Sequence, residues 1–150
     1  MSSTASPGRT RMTTATHVPG PAHLPELART LVAEPHVAHL ATLLPDGSPH
    51  SVPVWVAWEG ERLAFLTGPR SRKARNVDHD PRVAVSVTHA ERPWEMATLR
   101  GRVVQVLVGA TGWVVVDRMS CAYTGQPYPR DEERVVFLVD VERATATSFA

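Results

Sequence analysis

The chain has 150 residues, 43% of them hydrophobic, with a formal net charge of +1 at pH 7, the size and balance of one domain with a sizeable core. A general nucleic-acid binder carries a strongly basic domain, which this composition excludes. One cysteine, Cys121, rules out an intramolecular disulfide, no apolar run approaches the ~20 residues of a membrane span, and no secretory signal is visible, so a cytoplasmic protein without a membrane partner is expected.

Residues 1–20 are rich in Ser, Thr, Pro and Gly and read as a disordered leader, followed by a single domain over 21–150. In AHLPELARTLVAE, residues 22–34, Leu24, Leu27, Leu31 and Val32 form one apolar stripe. Pro25 suits the first helical turn and Pro35 stops the helix. HVAHLATLL reads as a strand, PDGSP as a turn on Asp46-Gly47, and HSVPVWVAW as a second strand. Glu59-Gly60 marks another turn and RLAFLT a third strand, which makes an antiparallel meander. SRKARNVDHD has helical spacing, with Ser71 as N-cap, Ala74 and Val77 on one face, and Asp80-Pro81 as the stop. RVAVSVTH turns Val83, Val85 and Val87 inward as a fourth strand. WEMATLRGRVVQVLV is a fifth, with Gly101 at a bulge or a close backbone approach. GATGWVVVDRMSCAYTG contains a β-branched triplet, yet Trp113, Val116, Ser120 and Tyr123 keep a helical face, and it is read as a helix. QPYPRDEE is a loop and RVVFLVDVERATATSF a sixth strand. The sum is a mainly β protein with short helices and six antiparallel strands, closed or nearly closed into a barrel because closure removes unpaired edges.

The segment FLTGPRSRKARNVDHDP concentrates chemistry. Arg70, Arg72, Lys73 and Arg75 put four cations in six residues, and Lys73 is the only lysine of the chain. A strand that turns into a helix start presents free backbone N–H groups, and with the helix dipole these favour an anion, usually phosphate. Cations in a first helical turn oppose helix stability, so a merely solvated face would sooner carry Asp or Glu there. An anion seat and a solvated charge run both remain readings, with the electrostatics favouring the seat.

Taken together, HLATLLPDGSPHSVPVWVAWEGERLAFLT, SRKARNVDHDPRVAVSVTHAERPWEMATLRGRV and AYTGQPYPRDEERVVFLVDVERA resemble the pyridoxamine 5'-phosphate oxidase-like superfamily, the FMN-binding split barrels. The likeness spans roughly residues 22–147 and is nearest to the actinobacterial branch that uses the deazaflavin coenzyme F420. It implies a six-stranded split β-barrel and a cofactor phosphate gripped by Thr67, Arg72 and Lys73, with Arg75 an added cation. It also implies that Leu66 and the strand residues Pro53, Val54 and Trp55 lie along the ring, and that two subunits share two cofactor sites in a homodimer. The fifth strand has EMATLRG, with Met96 and Thr98, where pyridoxamine phosphate oxidase carries an Arg-Gln-Val-Arg type segment, and the chain ends in ATATSFA without a substrate-phosphate motif. Vitamin B6 oxidation is therefore not expected. The expected activity is F420-dependent hydride transfer to a small unsaturated or conjugated carbonyl substrate. FMN is the alternative cofactor, and a non-catalytic flavin, deazaflavin or haem binder the alternative class.

Other candidates are weaker. His36 and His39 are three residues apart on a strand and so point to opposite faces, and no metal site is expected there. His50 is the one ionisable side chain on the ring-binding strand, but no catalytic residue is assigned. Cys121 reads as inert packing on an apolar helix face, and Tyr123 and Tyr128 as residues that could cover a pocket entrance or bond to backbone.

Overall fold

A computed structural model describes residues 18–149, so the expected leader over residues 1–20 lies almost wholly outside the described residues. In chain order the elements are α1 (Glu26–Ala33), β1 (Ala38–Leu43), β2 (Pro49–Val54), β3 (Val56–Glu59) and β4 (Arg62–Thr67). They continue as α2 (Arg72–His79), β5 (Arg82–Thr88), β6 (Glu95–Leu107), α3 (Gly109–Thr124) and β7 (Val135–Ser148). Seven strands, rather than the expected six, form one antiparallel sheet in the order β2-β1-β5-β6-β7-β4-β3.

The additional strand arises because HSVPVWVAW breaks at Trp55. Val54 still pairs with Ala38 of β1, whereas Val56 pairs with Phe65 of β4. Consecutive strands thus lie at opposite edges of the sheet with one residue between them, which requires the sheet to curl into a half-barrel until its edges meet. Pro49 and Pro53 both fall in β2, an edge strand, where a missing N–H costs no central ladder bond. At the switch the Val56 N–H donates to the Tyr123 hydroxyl at 3.1 Å, and that hydroxyl donates to the His36 carbonyl at 2.8 Å. A buried backbone donor at the crossing from one sheet edge to the other is thereby satisfied.

The inner face of the curl and α1 build the main core. Leu24, Ala28, Leu31 and Val32 pack against Leu40, Val56, Phe65, Val85 and Leu99. Each such Leu, Val or Phe, fully buried, contributes roughly 1.5–3 kcal/mol. Trp58 closes the contact by donating its indole N–H to the Arg29 carbonyl at 2.9 Å. A second cluster lies on the outer face, where Val115, Val116 and Met119 of α3 cover Ala64, Val136 and Leu138. The expected helix is therefore present, and Gly125 caps its C-terminus with φ of 78°, in the left-handed region. Cys121 departs from expectation: the buried stripe of α3 runs through Val115, Val116, Met119 and Ser120, leaving the thiol exposed on another face. Gly101 lies at a register shift between β6 and β7, and a Cβ there would run into the Asp140 carbonyl oxygen.

Where β1 and β5 begin and end their pairing, His36 and His89 bring their rings to 4.2 Å between centroids. Both are buried. His36 Nδ1 accepts from the Ala90 N–H at 3.0 Å, and His89 Nδ1 accepts from the N–H groups of Glu91 and Arg92 at 3.1 Å each. Burial, then the neighbouring His89, hold the His36 pKa below its usual 6.5, with Arg92 adding to the depression and Glu34 opposing it. A proton binds the unfolded chain more readily than the folded one, so this stability is complete above pH 6.5 and is lost as the pH falls through the lower folded value. We expect the thermal midpoint to drop between pH 7 and pH 5. We expect a smaller drop in His36→Asn, whose amide oxygen accepts the same N–H without titrating. An equal drop in both proteins would remove His36 as the cause.

Candidate functional site

The site starts where β4 ends. Thr67 is buried, and its hydroxyl donates to Ser71 Oγ at 2.8 Å. Ser71 Oγ in turn accepts from the Ala74 N–H at 3.2 Å, the N-cap that the sequence indicates. The turn is fixed from beneath as well: Asn76 of α2 donates to Thr42 of β1 at 3.0 Å inside the protein. The N–H groups of Arg72 and Lys73, in the first turn of α2, have no intrahelical acceptor. Thr67 therefore shapes the cap through Ser71.

Two adjoining cavities open beside this turn. One of about 730 Å³ is lined by Thr67, Gly68, Arg70, Ser71, Lys73 and Arg134, and by the acidic residues Asp131, Glu132 and Glu133. The other, about 360 Å³, is walled by Val37, Pro53, Val54 and Trp55. Leu66, Lys73 and Tyr128 line both. The result is a trough with a polar, charged end and an apolar end, and Lys73 at the junction. Trp55 is held at the apolar end by stacking on Tyr123 at 5.0 Å between centroids and by an edge contact with Tyr128 at 6.1 Å.

Lys73 sits in an electrostatically unfavourable place. It is partly buried, and among the described residues no carboxylate lies within ion-pair distance of it. Burial, then the Arg134 guanidinium, lower its pKa. Arg134 is anchored by donating Nε–H to the Tyr128 hydroxyl at 3.1 Å and Nη1–H to the Glu133 carbonyl at 2.9 Å. Lys73 and Arg134 thus line one cavity, where Glu132 pairs with Arg134 alone, so an anion beside Lys73 would relieve the remaining repulsion.

Of the residues singled out in the sequence, Pro53, Val54, Trp55, Leu66, Thr67 and Lys73 come together along the trough. Arg72 and Arg75 are exposed and line neither cavity, while Arg70 does line the polar one. His50 lines neither. Sequence reasoning missed Arg134, which follows the acidic run DEE in a segment read as a loop leading into a strand; no local pattern sets it apart. A metal is disfavoured at the Glu34, His36 and His89 cluster, whose ligand atoms lie within 4.8 Å of one another. Both Nδ1 atoms accept backbone N–H groups, so each neutral ring carries its proton on Nε2. A metal-bound histidine instead donates its second N–H to an acceptor.

A family model described as pyridoxamine 5'-phosphate oxidase matches residues 24–148. Among solved structures, an F420 reductase is 31% identical with a TM-score of 0.68, the match covering 77% of this chain and 94% of that one. General Stress Protein 26 from Bacillus anthracis shares the fold at 17% identity and a TM-score of 0.63, with coverage of 81% and 92%. A pyridoxamine 5'-phosphate oxidase-related, FMN binding protein from Nostoc punctiforme does so at 15% identity and a TM-score of 0.53, with coverage of 74% of each chain. No curated protein sequence matches. Because the family match begins before α1 and ends with the last residue of β7, it takes in every element of the fold, and the chain belongs to the pyridoxamine 5'-phosphate oxidase family of flavin-binding oxidoreductases.

Proposed function

We propose that this protein is an F420-dependent oxidoreductase that reduces a small unsaturated or conjugated carbonyl substrate, working as a homodimer in the cytoplasm. One observation carries the reading: Lys73 is a partly buried cation without a partner among the described residues, next to Arg134, where a charged cavity meets an apolar one. A phosphate-bearing ring cofactor has that same division of character. The 31% identity to an F420 reductase favours the deazaflavin over FMN. FMN is the second reading, supported by the FMN binding protein of the same fold.

In this reading Lys73, Arg70 and the first-turn N–H groups of α2 receive the phosphate, with Arg72 and Arg75 adding positive potential from outside. Thr67 holds the turn through Ser71. Pro53, Val54, Trp55 and Leu66 line the ring and exclude water. The bound coenzyme supplies the hydride chemistry; the chain contributes binding, orientation and a dry wall. With His50 outside both cavities, solvent is the proton source that this reading assigns. The homodimer finds support in the exposed valines Val104, Val106 and Val108 on and just after β6, and in exposed Val114 of α3. Obligate dimers bury such surplus in large interfaces.

Titration followed by tryptophan fluorescence should give tighter binding of F420 than of FMN. Lys73→Ala should weaken either by about ten- to a hundredfold, the loss of a charge-assisted hydrogen bond of roughly 1.5–3 kcal/mol. FMN at full occupancy in the purified protein with no uptake of F420 would reverse the cofactor choice. His50→Ala should keep the turnover rate within about an order of magnitude of the parent. A dedicated general acid contributes about 10²–10⁴-fold, so a loss of that size with cofactor affinity intact would make His50 the proton donor. Sedimentation velocity should give a dimer, and a monomer that binds cofactor normally would remove the shared-site arrangement.

A further inference from the structure

Arg134 is held in two different ways on its two sides. Its inner contacts, the Tyr128 hydroxyl and the Glu133 carbonyl, are independent of any ion pair. Its outer contact is Glu132, which offers a single oxygen, Oε2, to both Nη1 and Nη2 at 3.2 Å each. A strong arginine–carboxylate pair engages both oxygens in a fork at about 2.7–2.9 Å. Such a pair exists in this protein: Arg130 reaches Asp117 Oδ1 at 2.9 Å and Oδ2 at 2.6 Å. Glu132 is also the exposed partner, with its side chain 74% accessible against 20% for Arg134. The guanidinium is therefore fixed and the carboxylate loosely attached. Arg134 and Glu132 both line the charged cavity that Lys73 also lines.

We propose that Glu132 is a resident counter-ion that an oxyanion of the bound ligand, phosphate or carboxylate, displaces from Arg134, making Arg134 the second cationic jaw of the site opposite Lys73. Swapping one carboxylate for another oxyanion costs the protein little reorganisation, because Tyr128 and Glu133 keep the guanidinium in place. Glu132 meanwhile neutralises Arg134 in the free protein and competes with the ligand, so it lowers affinity for every anion that uses this jaw. The inference rests on the anion seat proposed for the cofactor phosphate.

The test is equilibrium binding of FMN, of F420 and, by competition, of inorganic phosphate to the full chain, followed by tryptophan fluorescence. Glu132→Gln should tighten the binding of FMN and F420 by about two- to fivefold, the range that an exposed ion pair can oppose. Arg134→Gln should weaken it about tenfold or more, Arg134→Lys should fall between, and Glu132→Gln added to Arg134→Gln should change nothing further. Unchanged affinity in both Lys73→Ala and Arg134→Gln would overturn the anion seat and this inference with it, as would absence of binding to the parent protein. Weakening by Lys73→Ala and Arg134→Gln with unchanged or weaker binding in Glu132→Gln would leave the seat standing and overturn the displaced counter-ion alone. Glu132 is exposed enough that Glu132→Gln should fold as the parent does, which a matching thermal midpoint would verify.

Discussion

Everything in this molecule follows from the single residue that separates β2 from β3. Trp55 carries the chain from one edge of a seven-stranded sheet to the other, so the sheet has to bend until its first and last strands are neighbours. That bend creates the concave face that α1 fills with Leu24, Ala28, Leu31 and Val32. It also leaves a seam, and the seam must be satisfied: the Val56 N–H finds the Tyr123 hydroxyl, and the Trp55 ring stacks on the Tyr123 ring. α3 is therefore more than a cover for the outer face of β4 and β7. It supplies the side chain that locks the closure.

The trough is a by-product of the same closure. The end of β2 contributes an apolar wall, the end of β4 and the start of α2 a capped turn, and the approach to β7 an anchored guanidinium. β4 pairs directly with β7, Thr67 opposite Val135, so Arg134 arrives beside the cationic turn by sheet register alone. The like charges of Lys73 and Arg134 repel in the free protein, and the Glu132 ion pair offsets part of that repulsion. The fold tolerates them because the Arg134 donors are occupied by Tyr128, Glu133 and Glu132, and because Lys73 keeps some contact with water. A charged group that the core does not need, held where no carboxylate among the described residues pairs with it, marks a candidate functional site.

The elements whose signals are local are legible in the amino-acid sequence. The cap at Ser71, the buried pair Ala74 and Val77, the inward Val83, Val85 and Val87, and the bulge at Gly101 all appear where the residues indicate. The break at Trp55 is not legible there, for a specific reason. Val54, Val56 and Trp58 are all buried, and they continue one in–out alternation straight through the switch. Changing pairing partners without changing face leaves no mark in a pattern of period two. Cys121 fails in the opposite sense: a helix 16 residues long has several faces, and an apolar stripe on one says little about a neighbour one position away.

By itself, then, the sequence determined the strand-forming segments other than the break at Trp55, the helices, the cap at Ser71 and the presence of a cationic turn, because each depends on side chains within a few residues of one another. It also carried the likeness to a split-barrel family, since that likeness is a matter of ordered local segments. Tertiary structure alone decided which of the cations face a cavity. Arg72 and Arg75 point to solvent, whereas Arg70 and Lys73 line the trough with Arg134, a residue 61 positions beyond Lys73 in the chain. Charge acts through space, and distance in space between remote segments is set by sheet register and closure, which no local pattern records.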